Sequence, residues 1–315
     1  MAARAHEDGQ QPNQRSTDTR GRRAPVMLET EGWGDYALLD SGGGQKLERY
    51  GAYRIVRPEE QALWSRRLPA PDWEGADAHF VGIGEDEADG RWRYKRPIPA
   101  TWPMDYDGIT FLGRFTAFRH VGVFPEQVTH WQWIKSRIAA ARRPVKVLNL
   151  FAYTGLASLV AAKAGAEVTH IDASKKAIGW ARENQEAAKL GHLPIRWICE
   201  DAKKFVEREM RRGNRYDGII LDPPKFGRGP SGESWDIFPD LPGMMRNCVS
   251  LLADEPLFLI LTAYAIRASF LAIDELAAEC LAGRGGLLES GELVLREQGG
   301  GRALSTSLFS RWSRG

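Results

Sequence analysis

Four successive apolar runs in the second half of the chain each stop at a polar side chain. Residues 145–150 carry Asn149, 167–171 end on Asp172, 195–198 lead into Glu200-Asp201, and 216–221 end on Asp222. Between them lie stretches with helical character at 154–164, 175–190 and 202–212. Short apolar strands alternating with helices predict a parallel sheet covered on both faces, an α/β architecture. In an open sheet of this kind ligands bind beyond the carboxyl ends of the strands, near the switch in strand order. The four polar positions fall there, in register.

The alternation extends in both directions. An amphipathic helix is predicted over 128–143, stopped by Pro144, and Gly165 stands where the 154–164 helix needs a C-terminal cap. Further helices are predicted over 241–252 and 268–282, with strands at 257–261, 291–296 and 306–312. The last two, joined by Gly299-Gly300-Gly301, are expected as an antiparallel edge. No internal repeat is visible.

A chain of 315 residues suits two domains at ~150 residues each. Residues 1–25 are polar and are expected to be a disordered tail. Residues 26–125 read as a small β domain of short strands and turns, with substrate recognition as its expected role, and 126–315 as the α/β domain. Three hairpins are expected in the small domain: 36–40 with 46–50 across a glycine-rich turn, 79–81 with 92–94 through Gly90, and 109–111 with 115–118. No run approaches the ~20 apolar residues of a membrane span, and the N-terminus lacks the apolar centre of a signal peptide. Cys199, Cys248 and Cys280 are widely spaced, arguing against disulfides and a structural zinc. A cytoplasmic protein, with no metal and no membrane partner, is the expectation; homodimerisation is left open. The net charge of +2 does not announce a nucleic-acid binder, so any RNA contact must come from local patches.

The strand ends narrow the ligand. After the first strand comes Phe151-Ala152-Tyr153-Thr154-Gly155, where a nicotinamide-binding domain would carry three glycines. No Gly-x-x-x-x-Gly-Lys-Ser/Thr occurs, which disfavours a nucleoside triphosphatase. The loop still offers backbone N–H groups at a helix N-terminus, suited to a carboxylate. Asp172 can accept both hydroxyls of a ribose, and Asp201 can accept a hydrogen bond from an adenine amine. Each aspartate alone is equally a helix N-cap; the four in register are harder to explain that way.

Val-Leu-Asn-Leu-Phe-Ala-Tyr-Thr-Gly (147–155), Ile171-Asp172-Ala173-Ser174, Glu200-Asp201-Ala202 and Asp222-Pro223-Pro224-Lys225-Phe226 resemble class I S-adenosylmethionine methyltransferases. The group most resembled is the bacterial 23S ribosomal RNA large-subunit methyltransferases that modify cytosine C5 or guanine N7. The resemblance spans about residues 118–312 and is most specific over 147–226. It implies a Rossmann-like seven-stranded sheet with a reversed last strand, beside the smaller N-terminal β domain. It places the methionine carboxylate of S-adenosyl-L-methionine near Phe151, Tyr153 and Gly155, its ribose on Asp172, its adenine on Asp201 and its reactive methyl near Asp222. Asn149, Ser174 and Ala202 join this cofactor set by their place in the motifs. Gly122-Val123-Phe124-Pro125-Glu126-Gln127 is similar to the family's entry into the catalytic domain, which brings Gln127 to the cofactor.

Two departures matter. The N-terminal part does not read like the RNA-binding PUA module of some members. The strand after Pro256 runs into Leu261-Thr262-Ala263-Tyr264, where cytosine-C5 members are expected to have a cysteine. Carbon-5 of cytosine is a poor nucleophile and needs a thiolate added at C6 first. A nitrogen carries its own lone pair and needs placement and a proton acceptor. The missing cysteine therefore shifts the expected acceptor to a nucleobase nitrogen in ribosomal RNA. Asp222, with the turn fixed by Pro223 and Pro224, is the expected acceptor for charge or proton, and Phe226 the expected stacking partner of a flipped base; Phe226 as a core residue is the plain alternative. Arg91-Trp92-Arg93-Tyr94-Lys95-Arg96 suits single-stranded RNA, and equally a half-exposed strand with Trp92 and Tyr94 inward. Alternatives are a small-molecule or protein methyltransferase, or a catalytically idle RNA-binding module.

Overall fold

The computed structural model describes residues 24–82, 90–264 and 266–314. Residues 1–23 of the expected tail and residues 83–89 of the second expected hairpin lie outside them.

The chain opens with β1 (Val26–Thr30). A small sheet follows from β2 (Tyr36–Gly42), β3 (Gln45–Tyr50), β4 (Tyr53–Pro58), β5 (Ala78–Val81) and β6 (Arg91–Tyr94), with the short helix α1 (Ala70–Glu74) before β5. A separate hairpin pairs β7 (Trp102–Tyr106) with β8 (Ile109–Gly113). The 3-10 turn Pro125–Gln127 leads into α2 (Val128–Ala140). Then come β9 (Val145–Leu150), α3 (Leu156–Lys163), β10 (Ala166–Asp172), α4 (Lys175–Ala187), β11 (Ile195–Cys199), α5 (Ala202–Arg212) and β12 (Gly218–Leu221). The ribbon β13 (Phe226–Arg228) and β14 (Ser234–Asp236) precedes α6 (Ile237–Leu251), β15 (Phe258–Tyr264), α7 (Phe270–Cys280), β16 (Leu287–Arg296) and β17 (Ala303–Ser313).

The large sheet runs β1-β16-β17-β15-β12-β9-β10-β11. From β9 the chain proceeds outward through β10 and β11, then returns to β12 on the other side of β9. That reversal places the switch point between β9 and β12, flanked by Asn149 and Asp222. All of β9 except Lys146 is buried, as expected of a parallel strand covered on both faces. All seven expected strands are present and β17 is reversed, but not as an edge: it inserts between β15 and β16, antiparallel to both. An eighth strand, β1, closes the far side in parallel with β16. Gly291 permits this approach, because a Cβ there would lie 1.9 Å from the carbonyl oxygen of Val26.

In the small sheet β2 and β3 pair as expected, turning on Gly43 and Gly44 at φ 60° and 72°, the two left-handed positions of a tight hairpin. β5 and β6 also pair antiparallel. The third expected hairpin is corrected: residues 109–111 pair backward with β7, not forward with 115–118. Asp107-Gly108, at φ 53° and 69°, supplies the preferred hairpin turn on the N-terminal side. On β6 Trp92 turns inward, its Nε1 donating to the carbonyls of Thr116 and Phe118 (3.0 and 3.2 Å), but Tyr94 is 51% exposed.

The two sheets share one core. Leu38, Tyr50, Met104 and Phe111 pack in the same apolar cluster as Val123, Trp131, Leu159 and Leu304. The small sheet is thereby fixed against α2, α3 and the β16–β17 pair. Among the described residues no helix is long and apolar enough to cross a membrane.

Candidate active site

The loop from β9 to α3 is built on three left-handed residues, Phe151, Tyr153 and Gly155, at φ 57°, 49° and 86°. Two carry side chains, so the surroundings must hold them at a cost of order 1–3 kcal/mol each. Phe151 packs on Trp235 with ring centroids 4.8 Å apart, and Tyr153 lies between Phe124 (5.7 Å) and Trp180 (5.9 Å). Thr154 donates its hydroxyl to the Gly122 carbonyl at 2.7 Å, and the buried Asn184 donates to the Thr154 carbonyl at 2.9 Å. At Gly155 a Cβ would meet the Trp197 ring at 2.9 Å.

Asp172, at the end of β10, accepts the Tyr153 N–H at 2.9 Å and the Ser174 N–H at 2.8 Å. Burial raises its pKa above the ordinary carboxylate value, and these two bonds offset that rise only in part. Asn149 is 1% exposed and donates to Ser158 Oγ at 2.9 Å, which in turn lies 3.0 Å from His170 Nδ1. Burial lowers the His170 pKa to about 3, so the relay beneath the loop is uncharged. Ser174 and Asp201 do cap helices. Ser174 accepts from the Ala177 N–H (3.2 Å) and Asp201 from the Lys204 N–H (3.0 Å), with the buried Ala202 opening α5.

Asp222 follows β12 directly. Its Oδ2 accepts the Gln127 side-chain amide at 3.0 Å, so the entry segment reaches the fourth strand end. Burial, then the buried Glu126 carboxyl, push the Asp222 pKa up to about 7. Pro223 is buried, and the Pro224 carbonyl accepts the Trp235 indole N–H at 2.7 Å. Phe226 is 61% exposed at the start of the β13–β14 ribbon, with Lys225 Nζ 5.2 Å from its ring. It is not a core residue.

Gln127, Asn149, Phe151, Tyr153, Gly155 and Asp222 line one open cleft at the carboxyl end of the sheet. Asp172 is joined to it through the Tyr153 N–H, and Asp172, Ser174, Asp201 and Ala202 follow β10 and β11 on the same sheet end, outside the cleft lining. The acid suits a sulfonium, whereas the loop N–H groups of Ala152, Tyr153 and Gly155 are already donated to the Ile171 carbonyl, to Asp172 and to the Ala152 carbonyl.

The structure adds residues that the sequence left unmarked. Phe124 lines the cleft and also touches Tyr264 (5.6 Å) and His120 (5.0 Å). Tyr264, noticed in sequence only as the absence of a cysteine, ends β15 and receives a hydrogen bond from Arg119 Nη2 at 3.4 Å. His130 of α2 lines the cleft buried, with both ring nitrogens unpartnered and a pKa lowered by burial to about 3. None of the cysteines lines the cleft. Cys248 is fully buried with its thiol pushed up to about 12, Cys280 ends α7, and Cys199 donates to the Ala173 carbonyl at 3.5 Å.

Residues 52–282 match the model of the S-adenosylmethionine-dependent methyltransferase family. A ribosomal RNA large subunit methyltransferase K/L from Pseudoalteromonas atlantica is 34% identical over 252 residues, covering 73% of this chain and 34% of the relative. A ribosomal RNA large subunit methyltransferase I from Salmonella arizonae is 31% identical over 219 residues, covering 64% of this chain and 53% of the relative. The chain thus spans only a third to a half of these relatives. The crystal structure of a SAM-dependent methyltransferase from Agrobacterium tumefaciens superposes with a TM-score of 0.90 at 59% identity, covering 93% of this chain and 95% of that one. A methyltransferase solved in complex with SAH shares the fold at a TM-score of 0.66 and 17% identity, covering 88% and 75%. The chain therefore belongs to the S-adenosylmethionine-dependent methyltransferases, and S-adenosylmethionine is its cofactor.

Proposed function

We propose that this enzyme methylates a nucleobase nitrogen in ribosomal RNA. The observation that carries this reading is the make-up of the transfer end: a carboxyl, Asp222, stands in the cleft and an exposed aromatic, Phe226, four residues on, while all three thiols lie away from it. The ribosomal RNA names of the relatives support the acceptor class.

In this reading Phe151, Tyr153 and Gly155 border the methionine carboxylate, with Asn149 supporting the loop. Asp172 holds the ribose hydroxyls, with Ser174 fixing its position, and Asp201 with Ala202 borders the adenine. Bound S-adenosylmethionine supplies an electrophilic methyl group on a positively charged sulfur. Asp222, steadied by Gln127, offers a carboxylate near that charge and can take the proton that an attacking N–H releases. Phe226 stacks on the flipped base, which is worth about 1–3 kcal/mol, and Pro223-Pro224 keep both residues at the strand exit. The small β domain contributes acceptor recognition: Arg91, Arg93, Tyr94 and Lys95 are exposed on its edge strand and the residue beyond, offering cations and an aromatic to an RNA backbone and its bases.

Nucleoside mass spectrometry of ribosomal RNA from a deletion strain tests this. Loss of an N-methylated nucleoside is expected. Loss of 5-methylcytosine, or an unchanged profile, would overturn the proposal.

A further inference from the structure

Tyr264 stands three residues past Leu261, which pairs with Leu221 of β12, so it rises beside the strand end carrying Asp222. A chain of polar contacts reaches it from the small sheet. Arg57 of β4 is buried and donates Nε and Nη2 to Glu48 (both 2.8 Å), with Nη2 also reaching the Tyr50 hydroxyl at 2.8 Å. Glu48 further accepts the hydroxyls of Tyr36 (3.0 Å) and Tyr50 (3.1 Å). Nη1 of Arg57 points away from this cluster and donates to the main-chain carbonyl of Arg119 at 2.9 Å. Arg119 donates in turn to the Tyr264 hydroxyl.

A buried arginine–glutamate pair contributes little net stability, because desolvation offsets the attraction. What this one delivers is position. It fixes residue 119, and the following residues are clamped as well. Gly122 has φ 98°, a Cβ there would lie 2.2 Å from the Trp180 ring, and its carbonyl is held by Thr154. Phe124 then bridges the cofactor loop at Tyr153 and the ring of Tyr264. The small sheet is thus linked, through residues 119 to 124, to the end of β15 beside Asp222 and to the cleft-lining Phe124.

We infer that Tyr264 contacts the methyl acceptor, and that Arg57 is a positioning residue which, through Arg119, holds the Tyr264 hydroxyl in place. Arg119 fills a lone pair on the hydroxyl oxygen, leaving the O–H to donate. Burial keeps that proton on the oxygen by raising the Tyr264 pKa. The group it recognises is a hydrogen-bond acceptor: given the ribosomal RNA reading on which the class of substrate rests, a base edge bearing a carbonyl oxygen.

The test uses the full chain and tritiated S-adenosylmethionine, with RNA, protein and small-molecule fractions from a strain lacking the enzyme. Tyr264→Phe keeps the ring and removes the hydroxyl. It is expected to lower kcat/KM for the labelled acceptor about tenfold, while calorimetric affinity for S-adenosylhomocysteine stays within about twofold. Arg57→Met strands Glu48 in the interior and endangers the fold. Arg119→Met keeps the carbonyl that Arg57 grips, and the same split between acceptor and cofactor is expected. An unchanged kcat/KM, or an equal loss in cofactor affinity, overturns the inference. Label in protein or small molecules overturns the RNA reading alone, and the Tyr264 inference is then judged by the same ratio on that acceptor. No label in any fraction overturns both.

Discussion

Replacing Asp222 with Asn should stabilise the apoprotein at neutral pH while removing its activity. The carboxyl is partly buried, close to the buried Glu126, and its pKa stands at about 7 instead of its ordinary 3.8. Unfolding returns it to the ordinary value. Below about pH 4 both states hold the proton and the group has no effect. Between about 4 and 7 the folded state binds more protons than the unfolded one, so stability falls as pH rises, by about 1.4 kcal/mol per unit. Above 7 the penalty levels off. From pH 4.5 to pH 8 the interval amounts to about 3 kcal/mol. Urea unfolding of wild type and Asp222→Asn, run at both pH values without cofactor, reads this directly. Asparagine cannot titrate, so the stability difference between the proteins should widen by about 3 kcal/mol in the variant's favour at pH 8. A difference that stays flat with pH, or narrows, would refute the reasoning. Methyl transfer should be lost in the variant at every pH, since the amide cannot take a proton.

Charge at the same site predicts a contrast between two ligands. Affinity for S-adenosylmethionine, which carries a sulfonium, should rise as pH passes through about 7, whereas affinity for the uncharged thioether S-adenosylhomocysteine should change little; parallel pH profiles by calorimetry would contradict this. Gly155→Ala forces a side chain into a left-handed position facing Trp197, so thermal melts should show destabilisation of about 1–3 kcal/mol together with weaker cofactor binding.

The catalytic half was legible because its signal is local. Apolar runs, helical spacing and the polar residue after each strand are all readable within a few positions, and these gave the sheet and its carboxyl end. Where one residue type fits two duties, locality fails. Asp201 caps α5 through Lys204, as any aspartate there would, and neither sequence nor cap geometry separates that duty from adenine recognition. The Asp107-Gly108 turn is a hairpin signal on the N-terminal side of 109–111, but 115–118 offers a β-like partner downstream, and the pairing with β7 is decided by the turn. β1 escaped notice because five residues with one fully buried position carry little pattern, and its partner Gly291 lies far along the chain. The linkage to Tyr264 is non-local altogether. It joins residue 57 to 119 and 119 to 264, and no window of sequence contains those pairs.

The claim that these strand ends grip S-adenosylmethionine is tested most directly at Asp172 with a thermodynamic cycle. Binding of S-adenosylhomocysteine and of its 2′-deoxy analogue is measured calorimetrically for wild type and Asp172→Ala. If Asp172 accepts the ribose hydroxyl, removing that hydroxyl weakens wild-type binding about tenfold and leaves the variant nearly indifferent. An equal penalty for the missing hydroxyl in both proteins would contradict the assignment.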